Sequence, residues 1–282
     1  MTIISTINQG LLWAILGLGI FMTFRILNFP DMTTEGSFPL GGAVAVTLIV
    51  HGVNPILATL CAFLAGCLAG LATGLLYVNG KIPTLLAGIL VMTSSNSIML
   101  MVMGQANLGM LGYPRLQSIW VSLIAVILVI GAMIFFLTTD LGQSFIATGD
   151  NPEMATSFGI NTNRMELLGL IVSNGIIALS GALVCQNDGY ADVSKGIGVI
   201  VIGLAAIIIG EVFFANVSML ERLITIVIGS IFYQFLILGV ITIGLDTSYL
   251  KLFSAIILAI CLMIPTFRDK FFKGVKLNAS HH

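Results

Sequence analysis

Long apolar runs separated by short polar breaks fill this sequence from end to end, and they limit what it can fold into. Nine can be marked, at about 10–28, 36–51, 56–78, 84–103, 116–137, 164–185, 197–215, 222–243 and 248–266. A helix needs about 20 apolar residues to cross a bilayer, and most of these runs approach that length. Charged residues make up only 8% of the 282, against 58% apolar, and mean hydropathy is +1.11. A soluble domain carries about 25% charged residues. This chain cannot cover itself with a water-compatible exterior, so its solvent is membrane lipid. The expectation is an all-α, polytopic transmembrane helical bundle of about nine segments, forming one domain over 1–282.

The net charge of −1 says nothing about nucleic acid, but no basic run of the length a nucleic-acid partner needs is present, so none is expected. The four cysteines, Cys61, Cys67, Cys185 and Cys261, lie in or beside apolar runs without metal-ligand spacing, so no metal is expected. Met1 to Gln9 contains no Lys or Arg, so no signal peptide is read there. Basic residues set orientation. With the C-terminus in the cytoplasm, Arg25, Lys81, Arg164, Arg222, Arg268, Lys270, Lys273 and Lys276 fall on the inner side, and Arg115, Lys195 and Lys251 outside. That places the N-terminus outside.

Two segments depart from plain spanning helices. The second, 36–51, opens with Gly36, Pro39, Gly41 and Gly42 and reaches only about 24 Å. It reads as a short broken segment entered through a turn that contains Asn28, Pro30, Asp31 and Glu35. The seventh, 197–215, opens with Gly196-Ile197-Gly198. Paired short segments point to a substrate path, or they mark close helix packing. Ala62, Gly66, Gly70 and Gly74 recur every four residues and form a smooth packing ridge.

The long polar interruption at 138–163 is read as a cytoplasmic loop carrying one short helix, 152–158. Asn151 is a favoured N-cap, Pro152 suits the first helical position and Gly159 suits the residue past the end. Asn163 is expected to cap the next segment, with Glu166 as its capping-box partner. A helix this short is not stable alone. Held between two spanning helices, it suits docking to another protein, or it is an ordinary capped loop.

The stretch Ala147-Thr148-Gly149-Asp150-Asn151-Pro152-Glu153-Met154-Ala155, followed by Gly159-Ile160-Asn161, resembles the coupling helix of ABC importer permeases. The family is that of branched-chain amino acid and ribose permeases. Phe24 to Asp31, Thr34 to Gly41, Leu85 to Leu90 with Met92-Thr93, and Gly203-Leu204-Ala205 with Ile209-Gly210-Glu211 resemble it in the same order. The subgroup it is most similar to is the tryptophan- and tyrosine-type uptake permeases. Family members often carry Arg where Ile146 stands. The resemblance implies a type II-like ABC importer transmembrane domain in a bacterial plasma membrane. Two copies of the permease, as a homodimer, would form the path. A cytoplasmic ATPase dimer would hold ATP and Mg and would bind Gly149, Asp150, Asn151, Pro152, Glu153, Met154, Ala155 and Gly159. A soluble binding protein would deliver substrate outside.

The chain carries no G-x-x-x-x-G-K-[ST], since Leu75 stands where Gly80-Lys81 would need the earlier glycine, and it carries no H-E-x-x-H and no G-x-S-x-G. It therefore reads as a non-enzyme with no cofactor of its own. Charges are nearly absent from mid-span, which argues against a proton relay. An ATPase-independent carrier or channel for a small polar solute is the alternative. Glu211 is expected to pair with Arg222 or with the interface rather than with a ligand. Asp188, Asp192 and Lys195 fall in an outer loop. Polar side chains within the spans are candidates to line the path: Thr93, Ser94 and Asn96 in the fourth, Ser173 and Asn174 in the sixth, Tyr233 and Gln234 in the eighth. Interhelical hydrogen bonding is the other reading of each. An uncharged path suits a zwitterion or a sugar.

Overall fold

The computed structural model describes residues 3–214 and 217–242, with Leu252, Ala255, Ile256 and Ala259 beyond them. Helix α1, Ile3–Ile20, continues as one wide π turn, Phe21–Ile26. After it come α2 (Thr34–Val50), α3 (Pro55–Val78), α4 (Thr84–Met103), strand β1 (Asn107–Gly109) and α5 (Ile119–Thr138). Two short helices, α6 (Asp140–Asp150) and α7 (Pro152–Ser157), lead into α8 (Thr162–Asp188). Strand β2 (Tyr190–Asp192), a 3₁₀ turn (Val193–Gly196), α9 (Val199–Phe213) and α10 (Met219–Thr242) complete it. Among the described residues the bundle is helical except for the antiparallel ribbon β1–β2, in which Asn107 pairs with Asp192 and Gly109 with Tyr190.

Among the described residues seven helices are long and apolar enough to cross a membrane, and α2 is a shorter apolar helix of 17 residues. The expected count of nine is therefore not met there, and the segment at 248–266 lies outside the described residues apart from those four positions. Nor is α2 broken. It runs unbroken through Pro39, and the interruption falls before it, at 27–33. The polar interruption at 138–163 is not a loop either, because α6 fills its first half. Thr139 caps α6 by accepting from the Gly142 N–H at 3.2 Å.

Helix α8 is the hub. In its most apolar stretch 72% of residues are buried, against 17% for the peripheral α5. The small-residue ridge on α3 explains how α8 is packed. A Cβ on Gly66 would meet the Asn174 carbonyl, and one on Gly70 the Leu170 carbonyl. Such close backbone approach supplies the van der Waals contact that associates helices in lipid. Helix α2 packs on α8 beside α3, with Gly41 facing Ala178 and Gly181 facing Phe38.

These contacts fix depth. Ser37 Oγ donates to Asn174 Oδ1 at 2.6 Å, so α2 starts level with the middle of the 27-residue α8. Helix α9 starts at the same level. Its first N–H groups follow Gly198, whose φ is +84°, and the Gly198 N–H donates to the Glu35 carboxylate at 3.0 Å. Two helix N-termini thus meet inside the bundle. Pro39 has no N–H to offer the Glu35 carbonyl, and Gly196 packs against that freed oxygen with no room for a side chain.

Candidate functional site

At one end of the bundle, α6 lies against the turn that continues α1, and α7 packs beside α6 and α8. Phe145 is fully buried and anchors α6, with its ring edge-on to Phe136 at 5.7 Å. Gly149 packs so tightly on the Ile26 carbonyl that a Cβ could not fit. Asn28, in the left-handed region at φ +54°, donates its side-chain N–H to the Gly149 carbonyl at 3.2 Å. The turn after α1 and the segment expected to couple are therefore in direct contact.

Asn151 accepts from the Met154 N–H at 3.0 Å and starts α7 with Pro152 in its first turn. At its other end the Gly159 N–H reaches the Thr156 carbonyl at 2.9 Å and the Ile160 N–H reaches the Ala155 carbonyl at 3.0 Å. This is a Schellman closure, which needs the φ of +83° that Gly159 supplies. The helix spans six residues, ending at Ser157 rather than 158. Of these only Ala155 is buried. Asp150, Pro152 and Glu153 are exposed, and Met154 and Phe158 present 57% and 73% of their surface. The next cap is Asn161, not Asn163. Asn161 accepts from the Arg164 N–H at 3.1 Å, so α8 begins one residue before Asn163.

Beside these helices Arg25 grips Glu211 with two bonds, Nε at 2.8 Å and Nη2 at 2.7 Å. Arg222 stands 4.0 Å from the same carboxylate. Sequence alone points only to this weaker partner, because the residues that meet lie 186 positions apart.

At the opposite end, by the β-ribbon, a cavity of about 730 Å³ opens between α1, α9 and α10. Its lining includes Trp13, Lys195, Tyr233 and Gln234. Tyr233 is almost wholly buried and Gln234 half-buried. The other candidate path residues lie elsewhere. Ser173 donates to the Gly19 carbonyl at 2.9 Å. Asn174 accepts from Ser37 and donates to Asp31 Oδ2 at 2.7 Å and the Leu170 carbonyl at 3.0 Å. Both sit in the helix packing away from this cavity. Thr93 and Ser94 are exposed and bond to carbonyls of their own helix. Ser94 borders a second, mostly apolar cavity of about 710 Å³ between α2, α3 and α4, and Asn96 is half-buried on the same helix.

In the turn, Phe29 and Asp31 are buried and Pro30 is exposed. Thr33 holds the N-cap position of α2 without a side-chain cap bond, and Asp31 braces the turn before it. Asp31 Oδ1 accepts from the Thr33 N–H at 2.9 Å and its carbonyl from the Thr34 hydroxyl at 3.1 Å. The Thr33 hydroxyl instead bonds Thr73 across to α3 at 2.7 Å. Among the described residues no three His, Cys, Asp or Glu side chains converge as a metal site would need.

The chain that forms this bundle matches a known family. The model of the family described as branched-chain amino acid transport system / permease component covers residues 2–262. The chain belongs to that family. It is 40% identical over 264 residues to the tyrosine transport system permease protein of Clostridioides difficile strain R20291, covering 91% of this chain and 88% of that one. It is 22% identical over 278 residues to the ribose import permease protein RbsC of Escherichia coli K12, covering 92% and 84%. Among solved structures it shares its fold with PsaBC from Streptococcus pneumoniae in complex with Fab. There the TM-score is 0.56 at 14% identity, with 92% of this chain and 88% of that chain covered. This is thus an ABC-type permease subunit, a multi-pass membrane protein and not an enzyme.

Proposed function

We propose that this permease is the membrane-spanning subunit of an ATP-driven importer of amino acids, aromatic ones included, in a bacterial plasma membrane. The single observation that carries the coupling reading is α7, where one buried residue holds a rigid six-residue stub that offers Met154 and Phe158 to a partner. Exposed apolar side chains on a soluble-facing stub favour a protein groove over water. The groove would belong to a cytoplasmic ATPase dimer that binds ATP and Mg, with Gly149, Asp150, Asn151, Pro152, Glu153, Met154, Ala155 and Gly159 building the dock. This end then lies inside, with the C-terminus, and the β-ribbon end and the N-terminus lie outside, where a substrate-binding protein delivers its load. Tyr233 and Gln234 line the outer mouth of the path, and two copies of the chain complete it as a homodimer. Support for an amino acid comes from the tyrosine permease similarity over nine-tenths of the chain.

Closure of the ATPases would push α7. The push reaches α1 through Gly149 on Ile26 and Asn28, which suits rigid rocking between inward-open and outward-open states. Co-expression with its partner ATPase should give a complex that purifies intact. Met154→Glu combined with Phe158→Glu should release the ATPase and abolish ATP-driven uptake in proteoliposomes. Uptake that persists without the ATPase, on an ion gradient alone, would favour a secondary carrier and overturn the reading.

A further inference from the structure

The cavity at the β-ribbon end has a chemical polarity. All three charged groups of its described lining, Asp188, Asp192 and Lys195, lie within eight residues of sequence at one side. The remainder of the wall is largely aromatic or aliphatic, with Trp13, Tyr233 and Ile237 among its residues. A cavity of about 730 Å³ falls in the range of small-molecule sites, about 300–1,000 Å³.

The charges are held in place. Lys195 Nζ lies 2.6 Å from Asp188 Oδ2 and 3.4 Å from the Tyr190 carbonyl, and it sits 4.1 Å above the Tyr190 ring. Gln9 donates to Asp188 Oδ1 at 2.9 Å. Asp192 accepts from the Ser194 N–H and hydroxyl and from the Asn107 amide at 3.0 Å. A carboxylate offers about four acceptor sites, so Asp188 and Asp192 keep capacity for a ligand, whereas the Lys195 ammonium, which faces Asp188, the Tyr190 carbonyl and the Cys185 sulfur, would share its donors with a ligand carboxylate. Two carboxylates against one ammonium leave the polar side with a charge of −1. That balance repels a lone carboxylate and tolerates an ammonium or a zwitterion.

We propose that this cavity is a selectivity vestibule that reads both charges of an aromatic amino acid. Lys195 receives the α-carboxylate, Asp188 and Asp192 flank the α-ammonium, and Trp13 and Tyr233 wall the ring. The proposal rests on amino-acid import by this permease and adds that selection is made a second time inside the membrane subunit.

The chain has two tryptophans, Trp13 in the cavity wall and Trp120, which is 70% exposed on α5. Trp120→Phe leaves Trp13 as the reporter. In the assembled permease–ATPase complex in nanodiscs, L-phenylalanine should change Trp13 emission saturably. Phenethylamine, which lacks the carboxylate, should bind more weakly, and 3-phenylpropionate, which lacks the ammonium, should not register. Lys195→Gln should weaken L-phenylalanine about tenfold, as loss of a charge-assisted bond does, and leave phenethylamine unchanged. Lys195→Arg should restore most of the affinity. A merely structural Lys195 would weaken both probes alike, and that result, or an unresponsive Trp13, overturns the proposal. Amino-acid uptake by the complete transporter, measured in parallel, separates the two claims. Uptake with a silent vestibule sinks only this inference, whereas ATP-driven transport of no amino acid sinks the import reading beneath it.

Discussion

Asn174 makes three hydrogen bonds inside the bundle, and one of them holds the buried carboxylate of Asp31 at 2.7 Å. Asn174→Ala would leave Asp31 Oδ2 and the Ser37 hydroxyl short of partners, at a cost of about 1–3 kcal/mol. The thermal unfolding midpoint in detergent should fall, and an unchanged midpoint would mean that Asn174 does not hold α2 to α8. Asp192, outside the spans, shows a milder effect. Its partial burial would raise its pKa, but the Ser194 hydroxyl and N–H, the Asn107 amide and the Lys195 ammonium together hold it below the usual aspartate range. A depressed folded pKa adds stability above the unfolded value, and that stability is lost as pH falls through the folded one. The β-ribbon end should therefore loosen first on acidification below the ordinary aspartate pKa. Asp192→Asn should flatten that dependence in hydrogen exchange of residues 190–196, and an acid profile identical to the parent would refute it. At this scale the sequence marks the right polar residues without their partners. Asn174, Asp31 and Glu35 all stand out in it, yet the bonds joining them span more than a hundred positions, and no local rule pairs residues so far apart.

Among the elements, α7 is the most legible because its signals are local. Asn151 and Gly159 each bond a residue three positions away and Pro152 acts at its own position, and each does what its type favours. Replacing Gly159 by alanine forces a Cβ into the left-handed region at a cost of about 1–2 kcal/mol. In the Gly159→Ala variant, amide exchange at position 159 and at Ile160 should speed up roughly tenfold, and unchanged protection would show that the Schellman closure does not hold α7. Helix α6 escapes a reading by pattern. Its apolar content is modest, and its stability comes from Phe145 packing on Phe136 and Gly169, tertiary contacts that local pattern does not reveal. Helix α2 misleads in the other sense. Pro39 suggests a break, but its missing N–H frees only the Glu35 carbonyl, and Gly196 covers that oxygen from α9's approach. The ridge on α3 is legible, since a four-residue repeat of small side chains has one geometric consequence on a helix.

Over the whole molecule, α1 connects the two ends that matter. Its C-terminal turn carries Ile26 against Gly149 and Arg25 against Glu211, while its N-terminal half places Gln9 on Asp188 and Trp13 in the cavity wall. A displacement imposed on α7 thus has a stiff route, through α6 and α1, to the vestibule. Gly149→Leu should break the first joint of that route. ATPase activity of the complex should persist while uptake per ATP hydrolysed falls at least several-fold, and fully coupled uptake would show that the force travels elsewhere. The docking of α7 itself is the claim beneath all of this. The measurement that tests it most directly is a thiol cross-link from Thr156→Cys, and in a second variant Glu153→Cys, to a cysteine placed in the groove of the ATPase within the assembled transporter. The account predicts efficient cross-linking at both positions and loss of transport once the bond forms. Failure at both, with Thr156→Cys labelled from outside intact cells by a membrane-impermeant maleimide, would contradict it.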